Sequence, residues 1–117
     1  MKYLVVDDED AAARSIRLAI ARLGDEVRCA SNGLEALQAI ENFEPDVVTM
    51  DMSMPEMDGL ACIETMLRER PHTRIIVISA IADKPLAVEA VKRGAAGFLL
   101  KPFSVQLLRE EIRELFA

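Results

Sequence analysis

Four acidic residues in succession, Asp7-Asp8-Glu9-Asp10, follow the apolar run Leu4-Val5-Val6, while Asp51, Ser79 and Lys101 each close another short apolar run. Carboxylates, a hydroxyl and an ammonium are the groups that hold a hard cation and handle a phosphoryl group. Asp7, Asp8 and Asp51 gathered in a partly desolvated crevice would repel one another, and a divalent ion with oxygen ligands relieves that repulsion. Mg²⁺ is the natural candidate: it is usually held by one or two carboxylates, keeps several waters and so leaves a position for a phosphoryl oxygen. Lys101 would balance the equatorial oxygens while a carboxylate oxygen attacks in line, and Asp51, the most central of the acids, is the expected nucleophile. Each residue also has a plainer reading. An acidic run favours a helix N-terminus electrostatically, Asp51 and Ser79 can cap turns, and a lysine ahead of Pro102 can sit on the surface.

What brings these residues together is the alternation of elements. Apolar runs predict strands at residues 3–6, 27–30, 47–50, 75–78 and 98–100, with helices between them. A first helix over about 10–23 places Ile16, Ile20 and Leu23 on one face and ends at Gly24 as its C′ residue. A second starts at Asn32, with Glu35 as a returning carboxylate and Leu34, Leu37 and Ile40 facing inward. The third, about 60–70, is stopped by Pro71 and turns Ile63 and Leu67 to the core. The fourth, about 85–93, has only the small stripe Leu86, Ala87, Ala90 and Val91, so its helicity leans on tertiary packing and it is a candidate moving part. The fifth follows the N-cap Ser104 and buries Leu108, Ile112, Leu115 and Phe116.

Five β-α units imply one α/β domain over 1–117, a doubly wound five-stranded parallel sheet with five helices, because crossover helices pack back with right-handed topology. Strands one, three and four are apolar throughout, as buried strands are, whereas strand two alternates and strand five is short. Edges at two and five give the order 2-1-3-4-5. In such a sheet the carboxyl ends of all strands share one rim, which is where Asp7-Asp8, Asp51, Ser79 and Lys101 fall.

With 117 residues, 51% apolar and 29% charged, the chain suits a single globular core. No stretch approaches the roughly 18 apolar residues of a membrane span, and the N-terminus lacks the pattern of a signal segment, so a cytoplasmic protein is expected. A net charge of −6 with no basic cluster disfavours direct nucleic-acid binding. Cys29 and Cys62 form neither a disulfide framework nor a zinc signature and are read as buried thiols. His72, the only histidine, reads as a solvated turn residue. Met50, Met52, Met54 and Met57 divide between core filling and an adaptable lip beside Asp51.

The chain resembles the receiver domains of two-component response regulators, especially the single-domain CheY-like proteins with their flavodoxin-like fold. The resemblance is carried by Leu4-Val5-Val6-Asp7-Asp8, by Met50-Asp51-Met52-Ser53-Met54-Pro55-Glu56-Met57-Asp58-Gly59, by Ser79-Ala80 and by Lys101-Pro102-Phe103. It implies that Asp51 accepts phosphate from a sensor histidine kinase or a phosphotransfer protein. It further implies Mg²⁺ on Asp8, Asp51 and the Ser53 backbone carbonyl, with Asp7 acting mainly through water, and Lys101 gripping the phosphoryl group. Ser79 would shift toward that group and let the Phe98 ring turn inward, reshaping the face of the fourth helix, fifth strand and fifth helix for an output protein, a fused effector domain or a phosphorylation-linked homodimer. Phe98 lacks the hydroxyl of the tyrosine common in chemotaxis members, so it offers a partner no phenolic hydrogen bond. The resemblance also implies a cis peptide between Lys101 and Pro102, whereas sequence alone favours trans.

Two other classes compete. A phosphatase similar to haloacid dehalogenases also uses a strand-end Asp and Mg²⁺, but its Asp-x-Asp motif is not matched by Asp51-Met52-Ser53, and its cap domain does not fit in 117 residues. An interaction domain that has kept the fold and lost the chemistry is disfavoured by the complete set of acids.

Overall fold

A computed structural model describes residues 1–22, 24–55 and 57–117. Leu23, expected on the inner face of the first helix, and Glu56, within the Asp51 motif, lie outside them. Strands β1 (Lys2–Val6), β2 (Glu26–Ala30), β3 (Val47–Asp51), β4 (Arg74–Ala80) and β5 (Gly97–Lys101) alternate with helices α1 (Asp10–Ile20), α2 (Gly33–Asn42), α3 (Gly59–Glu69), α4 (Lys84–Lys92) and α5 (Val105–Glu114). All pairings are parallel, in the order β2-β1-β3-β4-β5.

Successive strand residues point to opposite faces. Leu4, Val6, Val48, Met50, Ile75 and Val77 therefore pack against α2, α3 and α4. Val5, Val47, Ile76, Ile78 and Leu99 pack on the other side with Ile16 and Ile20 of α1 and Leu108 of α5. Among the described residues no helix is long and apolar enough to cross a membrane.

Helix α1 stops at Ile20, short of the expected Leu23, because Ala21 is already extended. The chain must turn here to lay β2 beside β1: Asp25 N–H bonds the Arg22 carbonyl, and Glu26 N–H bonds the Met1 carbonyl, each at 3.0 Å. Gly24 serves this turn at φ +92°, a left-handed conformation that costs glycine little, and not a helix C-cap. At α2 the Asn32 side chain accepts the Glu35 N–H at 2.8 Å, but the Glu35 carboxylate returns one residue further out, to the Ser31 amide at 3.0 Å. The inner face of α2 is Ala36, Leu37 and Ile40; Leu34 falls beyond its edge and is 69% exposed.

Arg70 caps α3 immediately before Pro71, and Ile63 and Leu67 both face the core. On α4 it is Ala87 and Ala90 that are fully buried, with Leu86 at the margin and Val91 exposed. Ser104 caps α5 by accepting the Leu107 N–H at 3.0 Å. Phe116 lies past the end of that helix, 43% exposed, beneath the Arg74 guanidinium rather than in the core. Cys29, on the edge strand β2, is exposed, contrary to expectation, while Cys62 is buried. His72 is exposed in the α3–β4 turn.

Candidate functional site

Parallel register brings the carboxyl ends of β1, β3, β4 and β5 to one rim: Val6 pairs with Met50, Asp51 with Ile78, and Ala80 with Lys101. Asp7 follows β1 and is anchored by its own turn, since its Oδ1 accepts the Glu9 N–H at 2.9 Å. Asp51 ends β3 and is held likewise, its Oδ1 accepting the Ser53 N–H at 2.9 Å. Such local Asx bonds fix a short carboxylate at a strand end without help from distant residues.

Asp7, Asp8 and Asp51 each offer one carboxylate oxygen, and these oxygens lie within 4.8 Å of one another. Asp7 and Asp51 are only 3% and 4% exposed, whereas Asp8 is open to solvent. Two buried carboxylates beside a third are costly unless a cation compensates them. Lys101 supplies part of that compensation, its Nζ lying 3.2 Å from Asp51 Oδ1. It does not reach the second Asp7 oxygen, for Asp7 Oδ2 is buried with no hydrogen-bond partner among the described residues. Burial, above all, pushes the Asp7 carboxyl above its ordinary range; the Asp51 and Asp8 charges add to this, while the Glu9 amide and Lys101 oppose it. An orphaned buried oxygen amid three converging carboxylates fits a hard divalent cation.

Ser79 and Phe98 project from the other face of the sheet. Ser79 is buried and its Oγ makes only a long 3.2 Å contact to the Ala80 carbonyl, so the hydroxyl is free to find a better acceptor. Phe98, paired with Val77 two residues before Ser79, is half-buried against the α2–α4 core. The Lys101-Pro102 peptide is cis. A cavity of about 370 Å³ opens between α1 and α5 beside Asp7 and Lys101.

Of the four methionines around Asp51, Met50, Met52 and Met54 are buried core fillers and only Met57 is half-exposed. The structure also adds residues that the sequence reading passed over. A Cβ on Gly59 would lie 2.7 Å from Met52 Sδ, so the glycine lets α3 start directly against the turn that follows Asp51. Thr49, two residues before Asp51 and on the same face of β3, is buried with its Oγ1 unpartnered among the described residues. One polar residue inside an apolar strand was the available signal for it.

The chain belongs to the response regulator receiver domain family, whose model matches residues 3–113. It is thus a signalling domain of two-component systems. It is 41% identical over 107 residues to the regulatory protein AtoC of Escherichia coli, covering 92% of this chain and 23% of AtoC. To the chemotaxis protein CheY of Thermotoga maritima it is 36% identical over 114 residues, covering 97% of this chain and 95% of that protein. The crystal structure of a CheY-like receiver domain protein from Methanospirillum hungatei superposes with a TM-score of 0.88 at 29% identity, over 97% of this chain and 91% of that one. The chain therefore spans about a quarter of AtoC and nearly all of CheY.

Proposed function

We propose that residues 1–117 act as one phosphoryl-accepting switch, with Asp51 as the acceptor. The observation that carries this reading is the placement of Asp51, whose Oδ1 lies between the Ser53 amide and Lys101 Nζ and whose carboxylate offers an oxygen within 4.8 Å of oxygens of Asp7 and Asp8. An Asp51 oxygen attacks the phosphorus of a phosphohistidine on a sensor kinase or phosphotransfer protein. As the new P–O bond forms, the P–N bond breaks and its electron pair returns to the imidazole. Lys101 follows the charge from the carboxylate to a phosphoryl oxygen, and the fixed Ser53 amide keeps Asp51 aimed in line. Asp8, Asp51, the Ser53 carbonyl and, through water, Asp7 would hold Mg²⁺, which when bound neutralises carboxylate and phosphoryl charge together. Water attack on phosphorus later restores the carboxylate.

In the phosphorylated state Ser79 Oγ moves from its long contact with Ala80 to a phosphoryl oxygen, and the Phe98 ring occupies the space released. The thin apolar stripe of α4 supports its part in this response, because an element with few buried contacts is the cheapest to shift. Output then passes through the α4-β5-α5 face to a partner protein, an effector domain or a second copy, in the cytoplasm and without direct nucleic-acid contact. Intact-mass measurement after incubation with acetyl phosphate and Mg²⁺ tests the acceptor: one phosphoryl group is expected on the wild type and none on Asp51→Asn. Equal labelling of both would sink the assignment.

A further inference from the structure

A groove of about 790 Å³ lies between α2 and α3, behind the loop that follows β3, and extends to Asp8. Leu37, Met54, Met57 and Cys62 form its floor, and Leu34 stands on its rim. Leu34 is one of the residues that helical periodicity assigns to the core and that the structure leaves exposed. The groove wall is tightly set: a Cβ on Gly33 would lie 3.1 Å from Cγ and Sδ of Met57, so the start of α2 rests directly on this methionine. The charged side chains lining the groove are Asp8 and Asp58, both acidic and both exposed. A third carboxylate, that of Glu35, is bonded to the lining residue Ser31.

We propose that this groove is a docking site for a basic amphipathic segment of a partner protein. Its apolar side chains would lie on Leu34, Leu37 and Met57, and its lysine or arginine ammonium and guanidinium groups would face Asp8 and Asp58. Charge complementarity selects the sign of the partner, since among the described residues every charge on the lining is negative. Leucine and methionine on an open groove suit the apolar stripe of a helix, methionine adapting its shape to the side chain it meets. The site is separate from the phosphoryl reading, for the floor does not include Asp51. It shares only Asp8 with the acidic cluster, so a cation bound at that cluster competes with the segment's own positive charge.

Titration of the ¹⁵N-labelled chain with a short Leu/Lys helical peptide, at about 0.15 M salt to screen diffuse attraction, tests the proposal. The expected result is saturable binding with shifts confined to Leu34, Leu37, Met57, Ala61 and their neighbours. A Leu/Glu peptide of the same pattern should not saturate. Leu34→Ser should weaken binding about tenfold, as expected for removing one buried leucine contact. Leu18→Ser, which alters an equally exposed leucine (71%) on α1, should leave it unchanged. Both substitutions are at exposed positions, and an unperturbed spectrum of the free variants verifies the fold. Saturating Mg²⁺ should weaken the peptide. Equal loss in Leu18→Ser, equal binding of the two peptides, or shifts spread over the acidic rim overturns the proposal; indifference to Mg²⁺ overturns the contact with Asp8.

Discussion

Lys101 Nζ and Asp51 Oδ1 are 3.2 Å apart, joining the last residue of β5 to the last residue of β3 across the intervening β4. The lysine side chain is 38% exposed and its partner almost wholly buried, so the pair is partly screened and the ammonium can move without leaving water. Lys101→Met should slow phosphorylation by acetyl phosphate about 10²-fold, the usual cost of losing one preorganised charge at a reacting oxygen. Mg²⁺ binding should move the other way. Removing a fixed positive charge beside the acids is worth about 1 kcal/mol after discounting for exposure, or roughly fivefold tighter binding by calorimetry. Weaker Mg²⁺ binding in this variant would show that Lys101 organises the acids rather than competing for them.

Asp7 makes the metal-free protein sensitive to pH. Its folded pKa is raised from 3.8, chiefly by burial. Between the unfolded value and that raised value the native state binds the extra proton, so this group's contribution to stability falls as pH rises through the window and is regained on acidification. Asp7→Asn should therefore stabilise the metal-free fold at pH 7, with the advantage shrinking as pH approaches 4. Denaturant melts of both proteins in chelator, at several pH values, measure the difference. Adding Mg²⁺ at about 100 times its Kd should stabilise the wild type by about 2.7 kcal/mol, and the variant by less.

The sheet and the rim were legible because their signals are periodic: apolar runs of strand length, each closed by a polar residue, suffice to place Asp7, Asp51, Ser79 and Lys101 at one edge. Helix ends and exposed positions were less so. Leu34 and Phe116 are apolar and fall near the expected periodicity, yet the first lies past the edge of the α2 stripe and the second past the end of α5, where no core remains to receive it. Cys29 was misread for a related reason: on an edge strand one face lacks a covering layer, and residue type alone does not say which. The orphaned Asp7 oxygen and the 3.2 Å Lys101 contact depend on how strands register in three dimensions, which local patterns do not encode.

The two cysteines should differ sharply in reactivity. Burial pushes the Cys62 thiol up to about 11, with the Asp58 charge adding to the effect, so at pH 8 only about 10⁻³ of it is thiolate, the form that reacts. Cys29 is exposed on β2. Iodoacetamide at pH 8 should add one carbamidomethyl group quickly to the folded chain, at Cys29, and the second only on unfolding. Peptide mapping identifies the site. Rapid labelling of Cys62 in the native state would mean that the packing around this residue of α3 loosens far more often than its burial implies.

Ser79 and Phe98 provide the test that separates chemistry from signalling. Among the described residues the Ser79 hydroxyl has no strong native partner, only the 3.2 Å contact to the Ala80 carbonyl, so Ser79→Ala removes little from the resting fold, within about 1 kcal/mol. If the hydroxyl acts by capturing a phosphoryl oxygen, the variant should still be phosphorylated at Asp51, but the change transmitted to α4 and β5 should shrink. Amide spectra with and without beryllofluoride, a phosphoryl mimic, read this directly: wild-type shifts should extend from the rim through Phe98 to α4, whereas those of Ser79→Ala should stop near the rim. Phe98→Leu, which keeps apolar bulk but loses the ring, should retain the shifts at the rim and alter those at α4. A full wild-type pattern in both variants would require a different route from Asp51 to the outer face, most directly through the β4–α4 connection at Ile81–Asp83.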